Sequence, residues 1–102
     1  MKRYRVEMSP AAHAQADAIA AWWVTNRPAA RSLFSDEAQA AEKQLEKTPL
    51  VGGRYRRGRE GMRRLLLPRT RYHLYYVVDE GALVVRIHAF WHTARGKGPS
   101  LR

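Results

Sequence analysis

The sequence contains no cysteine, so it has neither a disulfide framework nor a cysteine-based zinc site, which suits a reducing compartment. No apolar run approaches the ~18 residues needed to span a bilayer, and Met1-Lys2-Arg3-Tyr4-Arg5-Val6 lacks the apolar core of a signal peptide. The expectation is a soluble cytoplasmic chain without a membrane partner. Acidic residues are scarce, nine against nineteen Lys/Arg. Lysine is absent between Lys47 and Lys97, so arginine carries the positive charge of that stretch. Gly52-Gly53 has no lysine and Ser/Thr at the offsets of a phosphate-binding loop, which excludes that motif.

A chain of 102 residues accommodates one core and therefore one domain, 1–102, with 93–102 read as a flexible tail. At 45% hydrophobic residues the domain is expected to fold despite a net charge of +10. The charge is unevenly placed. Residues 1–50 carry seven Lys/Arg against six Asp/Glu (net +1), whereas residues 51–102 carry twelve against three (net +9). Such a field points to an acidic partner, whether nucleic acid or protein.

Tyr4, Val6 and Met8 alternate with Arg3, Arg5 and Glu7, the period of a half-buried strand. Ser9-Pro10 then supplies an N-cap and a proline at the first helical position. Ala12, Ala16, Ile19 and Trp23 form one apolar stripe, so the spacing predicts a helix to about Asn26. Arg27-Pro28 breaks it and opens a second helix with the stripe Ala30, Phe34, Ala38, Ala41 and Leu45, ending at Thr48-Pro49. The Gly- and Arg-rich stretch to Gly61 has no period and reads as an irregular, mobile connection, either solvated or a binding element.

Met62–Leu67 reads as a strand, 68–70 as a turn, and Arg71–Asp79 and Ala82–Trp91 as a hairpin about Glu80-Gly81. Setting Val78 opposite Leu83 pairs Tyr76 with Val85, Leu74 with Ile87 and Tyr72 with Ala89 on one apolar face. The other face then pairs Val77 with Val84, Tyr75 with Arg86, His73 with His88 and Arg71 with Phe90. The first face is expected to pack on the helices, and the second to be an exposed surface of Arg, His and Tyr.

Gly61-Met-Arg-Arg-Leu65, Arg71-Tyr-His-Leu-Tyr-Tyr-Val-Val-Asp79, Val84-Val-Arg-Ile-His88 and the closing His92 and Arg95 resemble the ParE/RelE superfamily of toxins from type II toxin–antitoxin systems. With the opening strand, Ser9-Pro10, the helical hairpin and the Pro49–Gly53 break, the resemblance covers nearly the whole chain. It implies an α+β fold of order β-α-α-β-β-β, a helical hairpin packed on a small antiparallel (mixed) sheet. It also implies a cognate antitoxin, acidic in the segment that wraps the toxin, which the basic second half would capture quickly. Trp22 is expected either under that segment or at the edge of the core.

Two activities follow from the resemblance. The first is ParE-like inhibition by binding DNA gyrase, favoured by the long helices and by His92-Thr-Ala-Arg95, which resembles a ParE-type C-terminal His with basic residues. Arg63, Arg64, Arg71, Arg86, His92 and Arg95 are then the target-binding candidates. The second is a RelE-like, metal-independent ribonuclease acting on mRNA in the ribosome, with His73 and His88 as base and acid, Arg86 stabilising charge and Tyr75 relaying a proton. The missing lysines and the Phe90-Trp91-His92 ending, without a terminal tyrosine, depart from the RelE pattern, and arginine cannot act as the base. A plainer alternative is a basic nucleic-acid-binding domain, from the interleaved Arg54-Tyr55-Arg56-Arg57 and Arg71-Tyr72. Neither a cofactor nor a metal is expected, two imidazoles being too few for a zinc site.

Overall fold

In the computed structural model β1 (Arg5–Met8) leads through Ser9 into α1 (Pro10–Asn26). Ser9 keeps an extended backbone and its hydroxyl accepts the Ala12 N–H at 3.1 Å, while Pro10 occupies the first helical turn, so this helix start is built as its sequence predicts. The structure describes residues 2–101; Met1 and Arg102, the ends of the expected domain and tail, lie outside the described residues.

Pro28 does not open the second long helix. Pro28–Ala30 forms a 3₁₀ turn, and α2 (Leu33–Lys47) starts after Ser32, whose hydroxyl donates to Asp36 at 3.0 Å. Ala30 therefore drops out of the predicted stripe. Phe34, Ala38, Ala41 and Leu45 remain in it and are buried.

The chain continues through β2 (Gly53–Arg54), β3 (Arg63–Leu67), β4 (Tyr72–Asp79) and β5 (Val84–His92) to a 3₁₀ turn over Thr93–Arg95. The five strands make one mixed sheet in the order β1-β5-β4-β3-β2, with β1 parallel to β5 and the other neighbours antiparallel. Both helices cover one face. Ala12, Phe34 and Leu45 from the helices meet Leu67, Leu74, Tyr76, Val85 and Ile87 there, with Ala16, Ile19 and Trp23 at the margin.

The β4–β5 register differs from the sequence expectation. Val78 pairs with Val85, Tyr76 with Ile87 and Asp79 with Val84, two residues beyond the predicted pairing. The turn is longer than Glu80-Gly81: Glu80–Leu83 are all in it, the Asp79 carboxylate accepts the Ala82 N–H at 3.0 Å, and Leu83 is left-handed at φ 56°. A shift of two keeps side chains on their faces. A bulge between Tyr75 and Tyr76 then adds His88 to β5, so Tyr75 pairs with Ala89 and Leu74 with Phe90. This extra residue inverts the remaining alternation. Phe90, assigned outward from sequence, enters the core 5.5 Å from the Phe34 ring, and Ala89, assigned inward, moves to the other face.

The connection after α2 is also more structured than its composition suggests. Gly52 N–H donates to the Tyr76 hydroxyl at 2.8 Å, and Arg63 Nη1 donates to the Gly52 carbonyl at 2.7 Å. A Cβ at Gly52 would lie 2.6 Å from both the Arg64 carbonyl oxygen and the Tyr76 hydroxyl, so only glycine fits.

Candidate functional site

The sheet face turned away from the helices is the predicted site, and the structure closes half of it. Tyr75 and Ala89 would leave apolar surface there, and residues 55–62 together with 98–101 fold across it. The Tyr55 ring lies edge-on to Tyr75 at 4.6 Å, and Met62 completes a second buried cluster with Ala89. The Tyr55 hydroxyl donates to the Pro99 carbonyl, Gly58 pairs with Leu101, and Arg57 Nε donates to the Gly98 carbonyl at 3.3 Å. Within 93–102, read from sequence as a tail, residues 98–101 thus pack on the arginine-rich connection. Tyr75, expected on an exposed surface, is fully buried, because that surface carries a lid of its own chain.

The candidate residues consequently separate. Arg63 faces the helix side of β3 and donates to the carbonyls of Leu50 and Gly52. Arg64 lies on the outer face, 5.4 Å from the Tyr55 ring. Arg71 leaves the strand for the β3–β4 turn at φ 68°, so its predicted pairing with Phe90 does not form. Arg86 is exposed and donates to Glu7 at 2.9 Å from the neighbouring β1. Arg86, foremost, with Arg5 holds the Glu7 carboxyl below the usual carboxylate range. Arg95 stacks on the Trp91 ring at 3.8 Å.

His73 and His88 are not opposite each other. His73 pairs with Trp91, and His88 is the extra residue of the bulge, three positions or about 10 Å along β5. Burial, then the Arg64 and Arg71 guanidinium groups, hold His73 below the ordinary imidazole value; burial, then Arg59 and Arg86, do the same for His88. Each is a neutral imidazole at physiological pH in a cationic field. They form no acid–base pair across one small group.

His92 belongs to the helix side. Its Nδ1 accepts the Ala94 N–H at 3.0 Å, capping the final 3₁₀ turn, and its ring meets Tyr72 edge-on at 4.9 Å. It lines a cleft of about 370 Å³ with Trp22, Trp23, Arg27, Thr70 and Tyr72. Trp22 is 46% exposed. The sequence reading placed Tyr72 in the core and passed over Arg27 and Thr70. The tandem Trp22-Trp23 beside the Arg27-Pro28 break was the one local signal available. Among the described residues no cluster of three or more potential metal ligands occurs, and no helix is long and apolar enough to cross a membrane.

Residues 6–96 match the family model for the ParE toxin of the type II toxin–antitoxin system parDE. No curated protein matches the chain in sequence. Among solved structures, the chain is similar to one from the chromosomal ParDE toxin–antitoxin system of P. aeruginosa, with a TM-score of 0.69 and 20% identity over 88% of this chain and 96% of that one. It is also similar to a chain of the RelBE2 toxin–antitoxin complex of Mycobacterium tuberculosis, with a TM-score of 0.63 and 22% identity over 90% of this chain and 93% of that one. A mutant of E. coli toxin RelE in the free state aligns at a TM-score of 0.60 and 14% identity, over 92% and 87% of the two chains. At these identities the likeness is one of fold.

Proposed function

The chain belongs to the ParE toxin family of type II toxin–antitoxin systems, and from that premise we propose that it arrests growth in the cytoplasm by binding DNA gyrase. A cognate antitoxin, acidic where it wraps the toxin, neutralises it. The observation that carries binding over cleavage is the state of the outer face: His73 and His88 are held apart by the bulge, and Tyr75 lies beneath Tyr55. What remains accessible there is a cationic surface around Arg64 and Arg86, suited to an acidic macromolecular surface.

A RelE-like ribonuclease is the second reading, favoured by two neutral imidazoles in an arginine field, each able to accept a proton. Brief induction without antitoxin separates the two. Gyrase binding produces trapped gyrase cleavage complexes and filamentation with intact mRNA. Immediate translational arrest with new codon-linked mRNA ends and normal supercoiling would instead establish the ribonuclease.

A further inference from the structure

Residues 98–101 form a strap across the outer face that is tethered to the sheet at one end. The strap leaves the last 3₁₀ turn at Gly96, whose φ of 73° and ψ of −132° suit glycine and few other residues. It is held lightly. Leu101 N–H donates to the Arg57 carbonyl at 3.3 Å, the Leu101 carbonyl accepts the Arg59 N–H, and the half-buried Leu101 side chain packs on the cluster of Tyr55, Met62, Tyr75 and Ala89. The Tyr55 hydroxyl and Arg57 Nε add one hydrogen bond each, to the carbonyls of Pro99 and Gly98. Lys97 brings a like charge to the junction with Arg57, which works against closure. A terminal segment secured in this way opens at a small fraction of the global unfolding free energy.

What the strap covers is the middle of the face. Gly98 lies against the hydroxyl ends of two rings: a Cβ there would overlap the Tyr55 hydroxyl and stand 3.0 Å from that of Tyr75. On either side is an imidazole in the field of two guanidinium groups, His73 with Arg64 and Arg71, and His88 with Arg59 and Arg86. Tyr75 lies between these clusters, two residues from His73 along β4 and paired with Ala89, the neighbour of His88. We propose that the strap is an autoinhibitory latch: closed, it separates the two cationic clusters, and open, it joins them across Tyr75 into one groove for single-stranded nucleic acid. Guanidinium groups then take the phosphates and the phenol ring takes a base, the combination by which such strands are held. A strand that binds only the open form is opposed by closure, so the latch lowers its apparent affinity. The latch goes beyond the gyrase reading and requires neither gyrase nor RNA cleavage.

The test uses the full chain, two strap variants, Gly98→Ala and Leu101→Asn, and oligo(dT), which lacks the 2′-hydroxyl that ribonuclease chemistry needs. Neither variant touches the cationic clusters. Nitration by tetranitromethane, mapped by peptide mass, should label Tyr75 about tenfold faster in both variants than in the parent, as expected when a local opening is made easier. Affinity for oligo(dT) at fixed salt should rise about tenfold in both, because the binding-competent form is no longer scarce. In the parent, saturating oligo(dT) should speed hydrogen exchange at the Arg59 N–H, since the strand selects the form in which the Leu101 carbonyl has left. Gly98→Ala also crowds Tyr55, so Leu101→Asn decides where the two differ. Unchanged Tyr75 labelling in Leu101→Asn would show that the strap is not the cover. Equal oligo(dT) affinity in Leu101→Asn and the parent, or slower Arg59 exchange with the strand bound, would overturn the latch. Poly-glutamate of equal charge binding Leu101→Asn as tightly as oligo(dT) would remove the assignment to nucleic acid. No readout involves growth inhibition, so failure here leaves the gyrase reading standing.

Discussion

Gln15 Oε1 accepts the Phe90 N–H at 2.9 Å, so a side chain of α1 satisfies the β5 donor that follows the bulge at His88. The helix thereby supports the register break that turns Phe90 into the core. Gln15→Leu leaves that half-buried N–H without a partner and should lower unfolding free energy by about 1–3 kcal/mol, measured by urea denaturation. A variant as stable as the parent would mean that solvent replaces Gln15 at no cost.

Glu37 anchors α2 to the β3–β4 turn, accepting from Arg69 N–H at 2.7 Å, Thr70 N–H at 2.9 Å and the Thr70 hydroxyl at 2.7 Å. Burial pushes its carboxyl up, but these hydrogen bonds and the Arg69 charge together outweigh it and hold the pKa below the ordinary value. A carboxylate depressed in the folded state stabilises fully above its unfolded value of about 4, and that contribution disappears as pH falls through the folded value. Glu37→Gln should therefore be less stable than the parent at pH 7, by about 1–2 kcal/mol. The difference should shrink in thermal melts taken at progressively more acidic pH.

His73 and His88 act in a higher window. Both are depressed in the folded state, so unfolding takes up protons as pH drops below the unfolded imidazole value of about 6.5. Melting temperature should start to fall there, before the carboxylates titrate, and the double variant His73→Gln/His88→Gln should flatten that part of the profile. An unchanged slope between pH 6.5 and 5 would contradict this.

Gly52 and Gly53 provide a matched contrast. Alanine at 52 meets the Arg64 carbonyl and the Tyr76 hydroxyl at 2.6 Å, whereas a Cβ at 53 meets nothing within 4 Å. Gly52→Ala should cost about 1–3 kcal/mol by overpacking, and Gly53→Ala should stay within about 1 kcal/mol of the parent. Chemical denaturation of the pair checks both.

On the outer face, Arg86→Ala and His88→Ala should abolish growth inhibition on induction while leaving the unfolding midpoint close to that of the parent. Arg86 is solvent-exposed and its ion pair with Glu7 is a surface one, so little stability depends on it. Loss of toxicity together with loss of folding would assign both residues to structure instead.

Much of this protein was legible one element at a time. The Ser9-Pro10 start, the Ala12-to-Trp23 stripe, the buried set from Phe34 to Leu45 and the three long strands all express local rules, and the second-half arginines set the positive sign of the surface. What tertiary structure alone decided were relations between elements. Periodicity carries no signal for an added residue, so the bulge at His88 and the exchange of Ala89 and Phe90 depend on Phe34 and Gln15 waiting on the helices. Burial of Tyr75 likewise required Tyr55 and Pro99 to return from distant parts of the chain. The sequence by itself determined the fold family and the sign of the surface; the packing of helix, connection and C-terminal segment against the sheet determined which of its arginines and histidines stay open to a partner. Strand alternation is a local property, whereas solvent access depends on what the rest of the chain lays over it.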